Sequence, residues 1–170
     1  EARAAASAQR AALDAPLPAD ASVQAAELGG RLGGRLGDDA AAAQRVVFCV
    51  YHETEDRALR TKIDEFELAS RQAGHDWCLH DLTDTFAEWL ASQRYAKSYF
   101  EKPSLLATIY PRYLEHLALD FERRTSELES PHNSVIAISG VGSLFGFLKV
   151  KDVVDRLAPM VLGRLVIFFP

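Results

Sequence analysis

The rhythm of hydrophobic and polar positions changes at Arg45. Before it the chain is alanine-rich and carries the tandem GGRLGGRLG from Gly29 to Gly37. The pattern there predicts a helix over Ala4 to Leu13, ended by Pro16 and Pro18. The glycine repeat reads as a flexible connection, with Leu28, Leu32 and Leu36 spaced by four as its one apolar regularity. After Arg45, RVVFCVY (45–51) is a continuous apolar run rich in β-branched residues, which predicts a strand buried on both faces. Leu59, Ile63, Phe66 and Ala73 then recur at helical spacing. Thr54 is placed to cap that helix, and Gly74 stands where a terminating glycine belongs.

DWCLHDL (76–82) predicts a second strand, followed by a short helix with Phe86, Trp89 and Leu90. The aromatic and basic stretch RYAKSYFEK (94–102) reads as irregular. Pro111 suits the first turn of a helix carrying Leu114, Leu117, Phe121 and Leu128, and SPHNS (130–134) is a turn cluster. VIAIS (135–139) is a third strand, KDVVDRLAPMVLG contains a short helix, and RLVIFFP (164–170) is a fourth strand.

The order β-α-β-α-α-β-α-β, with long connections, predicts an α/β three-layer sandwich: a mainly parallel four-stranded sheet flanked by helices. Residues 1–44 read as an Ala/Gly-rich arm, partly helical or flexible, and residues 45–170 as one α/β domain. The chain starts at Glu1 rather than Met and stops at Pro170 directly after a strand that reads as buried, so further C-terminal residues are expected.

Composition narrows the function classes. A chain of 170 residues with 48% hydrophobic and 25% charged residues has the balance of an ordinary globular domain. A net charge of −5 argues against a broad nucleic-acid footprint, and the local Arg123-Arg124 pair has acidic neighbours. Cys49 and Cys78 sit in apolar runs and read as small buried hydrophobes rather than a secreted disulfide framework. No apolar run reaches the length of a membrane span, and the first residues lack the apolar core of a signal peptide. A cytoplasmic protein is the expectation.

In parallel sheets ligands bind beyond the carboxyl ends of the strands. Those ends are Tyr51-His52-Glu53, Asp81-Leu82-Thr83, Gly140-Val141-Gly142-Ser143 and Phe169-Pro170. The segment GVGSLFGF (140–147) has the position of a phosphate loop, but Phe147 stands where the lysine of a P-loop would be and Phe145 where a dinucleotide fingerprint needs its third glycine. HDWCLHD (75–81) holds zinc-type ligands, yet Cys78 and His80 share one face of a strand and Asp81 points to the other. His52, Glu53, Asp81, Gly140, Gly142 and Ser143 form the alternative ligand edge for a degenerate nucleotide-binding or hydrolytic enzyme, although no nucleophile elbow is present. No catalytic residue, metal or cofactor is assigned.

A third use of these residues is protein contact. Leu144, Phe145 and Phe147 on the loop, and secondarily Arg94, Tyr95, Tyr99 and Phe100, have the residue types enriched in interface hot spots. The second group also has the types that stack on single-stranded nucleic acid, which makes a nucleic-acid-binding adaptor the remaining alternative.

RVVFCVY, IDEFELASRQAGHDWCLHDLTDTFAEWL, YLEHL, GVGSLFGF and GRLVIFFP together, in that order, resemble the BrxB family of BREX phage-defence systems over about residues 45 to 170. The pairing of GVGSLFGF with a final FFP strand is the most distinctive part. The resemblance implies a small cytoplasmic bacterial component of a defence island that also encodes a DNA methyltransferase, an ATPase and PglZ, an alkaline-phosphatase-superfamily protein. It implies an assembly factor without established catalytic activity, with the PglZ-like protein as direct partner. In the family the FFP strand runs on into a tail containing glycine, tyrosine and asparagine, whereas this sequence ends at Pro170.

Overall fold

The computed structural model describes residues 42–170. The helix expected over Ala4 to Leu13, the glycine repeat and most of the arm assigned to residues 1–44 lie outside the described residues. The last three arm residues begin a 3-10 turn, Ala42–Arg45, that leads into the first strand.

Four strands form one sheet: β1 Val46–Val50, β2 Asp76–Asp81, β3 Ser134–Ser139 and β4 Arg164–Phe169. All pairings are parallel, in the order β1-β4-β3-β2. Between them run six helices among the described residues: α1 Asp56–Arg60, α2 Ile63–Gln72, α3 Thr85–Ala91, α4 Ala96–Glu101, α5 Tyr110–Ser126 and α6 Val150–Leu157. The α/β sandwich expected from the pattern is the fold observed.

Crossover handedness accounts for the layering. The β1-to-β2 connection crosses the whole sheet in one direction, and β2 to β3 to β4 steps back in the other. Right-handed crossovers in opposite directions put their helices on opposite faces. On the first face, Leu59 of α1 and Ile63 and Phe66 of α2 pack on Trp77, Val135, Val166 and Phe168. On the second, Phe86, Tyr113, Phe121 and Leu157 pack on Ile136, Ile138, Leu165 and Ile167. β3 is buried at every residue because it lies inside the sheet and is covered on both sides. Complete burial of each such aliphatic or aromatic side chain contributes roughly 1.5–3 kcal/mol.

Three local expectations are corrected. The run 45–51 is an edge strand rather than one buried on both faces: Phe48 is 37% and Val50 36% exposed. The stretch 94–102 is not irregular, since Ala96–Glu101 is helical. The first helical region is not one helix capped by Thr54. It opens with a 3-10 turn over Glu53–Glu55, where the His52 side chain accepts from the Thr54 amide. It is then interrupted at Thr61, whose hydroxyl donates to the Ala58 carbonyl at 2.7 Å and competes with the helical ladder. Pro111 in the first turn of α5 and the positive φ of Gly74 past the end of α2 follow the expected pattern.

Candidate functional site

The carboxyl ends of the strands carry two surfaces of opposite character. The first is a chain of hydrogen bonds from one edge of the sheet to the other. The Tyr51 hydroxyl, just past β1, donates to Asp56 Oδ1 at 2.6 Å, and Arg60 Nε donates to Asp56 Oδ2 at 2.7 Å. Arg60 Nη1 then donates to Thr83 Oγ1 at 2.6 Å, and that hydroxyl donates to Asp81 Oδ1, also at 2.6 Å. The Thr83 amide and the Ser139 hydroxyl complete the shell around the Asp81 carboxylate.

Electrostatics follow from these contacts. Burial, then the bond to Asp56, raises the Tyr51 phenol well above its ordinary value, so it stays a donor. The bond from Tyr51, then Arg60, holds Asp56 below the usual carboxylate range. Burial pushes Asp81 up, but its bonds from Thr83 and Ser139 outweigh that and leave it lowered and ionised. The network joins α1 to the ends of β1 and β2.

Gly140 fits the loop after β3 closely against the end of β2. Its φ is +72°, and an added Cβ would lie 2.6 Å from Thr83 Oγ1 and 2.7 Å from Asp81 Oδ1. An anionic carboxylate packed against the loop repels phosphate, the reverse of what a helix-start anion site supplies. Of the alternative ligand edge, only Asp81 and Gly140 meet in this way. His52 is engaged with its own turn through Thr54, and Glu53 begins that turn. A Cβ added at Gly142 would meet only Pro170, at 3.6 Å, and Ser143 is held in the turn by its amide bond to the Gly140 carbonyl.

The second surface is apolar. Phe145 is 51% exposed and tilts against Phe169 at 6.0 Å between ring centroids. Phe169 in turn meets Phe48 edge-on at 6.2 Å, and Val50 is exposed two residues further along β1. Helices α3, α5 and α6 cover β2, β3 and β4 on this face, and among the described residues no helix covers Phe48 and Val50 of β1. The result is a contiguous apolar strip of Phe145, Phe169, Phe48 and Val50.

Of the loop residues expected to face a partner, Leu144 does not, and Phe147 is turned toward the core. Leu144 is completely buried in the core, and Phe147 is half-buried, stacked on Phe86 at 4.4 Å. The turn Val141–Leu144 sends positions 144 and 147 inward and leaves position 145 outside. In the secondary group, Tyr95 and Phe100 are strongly exposed and Arg94 lies over the Tyr95 ring at 5.4 Å. Tyr99 is partly buried against the core beneath them.

The HDWCLHD segment does not assemble a ligand set. Among the described residues no three His, Cys, Asp or Glu side chains are grouped to hold a metal ion. His80 is instead buried between β2 and α5, edge-on to Phe121 at 5.5 Å. Neither ring nitrogen has a hydrogen-bond partner, and Asp120 Oδ2 stays 3.8 Å from Nδ1. Burial pushes its pKa down to about 4.

Sequence reasoning missed Phe48, Val50, Asp56 and Arg60, and named Tyr51 only as part of a strand end. The Asp56–Arg60 spacing of four was a legible signal for an ion pair on α1. Exposure of Phe48 and Val50 had no local signal, because it depends on β1 being at the sheet edge. Among the described residues no helix is long and apolar enough to cross a membrane. Comparison with models of known families, with curated proteins and with solved structures finds no match.

Proposed function

We propose that this chain is a non-catalytic subunit, or assembly factor, of a BREX-type bacteriophage-defence complex, and that it docks on a PglZ-like protein. The family assignment rests on the resemblance of residues 45–170 to BrxB proteins. The observation that carries the docking role is an apolar strip in which Phe145, Phe48 and Val50 are exposed and the partly buried Phe169 joins Phe145 to Phe48. Two exposed aromatic rings and a valine are costly to leave in water, and burying them favours association. Aromatic anchors of this kind dominate interface energetics.

The test is a pull-down with a PglZ-like protein of a BREX system. Phe145→Asp places a charge at the most exposed ring and is expected to weaken capture about tenfold or more. Its circular dichroism and melting temperature should match those of the unaltered protein. Unchanged capture by a folded Phe145→Asp variant overturns the assignment of the strip.

A further inference from the structure

We infer that the partner supplies an extended strand to the outer edge of β1, so that the four-stranded sheet becomes five-stranded in the complex. This rests on the docking function proposed above and states the form in which the partner engages the strip.

Backbone parity sets which groups of β1 face outward. The Tyr51 amide donates to the Phe169 carbonyl at 2.9 Å. Hydrogen-bonding direction alternates along a parallel strand, so the odd-numbered residues of β1 bond to β4. The N–H and C=O groups of Val46, Phe48 and Val50 therefore point away from β4. Among the described residues no strand pairs with that side. Three consecutive sets of outward donors and acceptors make a template for one more strand.

The two margins of the sheet are treated differently. β2 carries Asp76 at its start and Asp81 at its end; Asp76 accepts from the Ser130 amide at 2.7 Å, and Asp81 is locked by Thr83. Such charges discourage strand addition. β1 is VVFCV, with no charge, proline or glycine, and its Phe48 and Val50 side chains are exposed on the face that α3, α5 and α6 leave open. A fifth strand about 4.8 Å away would set its own side chains beside Phe48 and Val50.

Charge identifies the kind of segment. Beyond Val50 the chain passes directly into exposed Glu53 and Glu55. The matching segment is apolar at alternate positions and carries lysine or arginine at the end that lies near those carboxylates. A second copy of this chain fits less well. Paired antiparallel about Phe48, it would set Glu53 opposite Ala43, while Arg45 is turned to the Val161 carbonyl at 2.9 Å.

Parity also supplies the experiment. Val50→Pro removes an outward donor and leaves the β4 ladder intact, a substitution that edge strands tolerate. Capture by the PglZ-like protein is expected to weaken about tenfold through the lost bond and the blocked approach. In the unaltered protein, amide exchange at Phe48 and Val50 is expected to slow about tenfold or more on binding, a readout that needs no variant. If Phe145→Asp abolishes capture while Val50→Pro and the two amides are unaffected, the strip docks the partner without an added strand and this inference fails alone. If neither variant changes capture, the docking assignment fails with it. Self-association by light scattering that Val50→Pro removes, without protection by the PglZ-like protein, would assign the edge to a second copy and overturn the inference.

Discussion

Gly140 and Asp81 are in contact that admits no side chain between them. A Cβ on Gly140 would come 2.7 Å from the carboxylate Oδ1 that Thr83 holds in place, with the Thr83 amide nitrogen equally near. The glycine of the loop after β3 thus serves the joint between two strand ends. This contact holds the loop after β3 against the end of β2.

Gly140→Ala is therefore expected to destabilise the fold by about 2–4 kcal/mol, combining left-handed backbone strain with a clash against backbone. Gly142→Ala, with only Pro170 at 3.6 Å and no positive φ, should stay within about 0.5 kcal/mol. Urea denaturation of the two variants makes the comparison. Equal effects would refute the joint.

His80 predicts a pH dependence of stability. The unfolded chain protonates this histidine near pH 6.5, whereas burial keeps the folded form neutral down to about 4. The charged groups that act on it are Asp120 and Arg124 from α5 and Asp81, its neighbour on β2 with a side chain on the opposite face. The unfolded state binds more protons across this window, so the contribution is whole above the upper value and is lost as pH falls toward the lower one. The loss is on the order of 3 kcal/mol. Asp56, Asp81 and Asp120, all held below the usual carboxylate range, lose their contributions only at still lower pH. His80→Leu should flatten the profile between pH 6.5 and 4.5 and, by removing two unpartnered buried nitrogens, be at least as stable at pH 7 by about 1 kcal/mol. An unchanged slope in that variant would assign the pH dependence elsewhere.

Two phenylalanines two residues apart should respond differently to truncation. Phe147→Ala loses the stack on Phe86 and the contact with Tyr110, and is expected to cost about 2–3 kcal/mol. Phe145→Ala should cost less than about 1 kcal/mol, since half of that ring is already in water. Denaturation midpoints measured together decide it. A larger loss at Phe145 would reverse the inside–outside assignment of the loop.

Much of the architecture was legible in the pattern of the chain. Each strand lies within about two residues of an apolar run, and Pro111 and Gly74 mark helix ends as their backbone chemistry requires. Parallel pairing followed from connections too long for hairpins. The Asp56–Arg60 ion pair was equally open to reading, as a spacing of four on one helix face. The helix Ala96–Glu101 was not, because its six residues give too little period to separate from a loop.

Strand order was decided only in three dimensions. β1 and β2, neighbours in the chain, end at opposite margins, and nothing in VVFCV or DWCLHD says so. The same long-range choice exposed Phe48 and Val50, buried Leu144, and set Asp81 against Gly140. Local sequence determined which residues are apolar and which backbone shapes they adopt, because propensity and periodicity act within a few residues. Which of those residues meet a neighbour and which meet water was left to the tertiary structure, because burial depends on segments that come together from far along the chain.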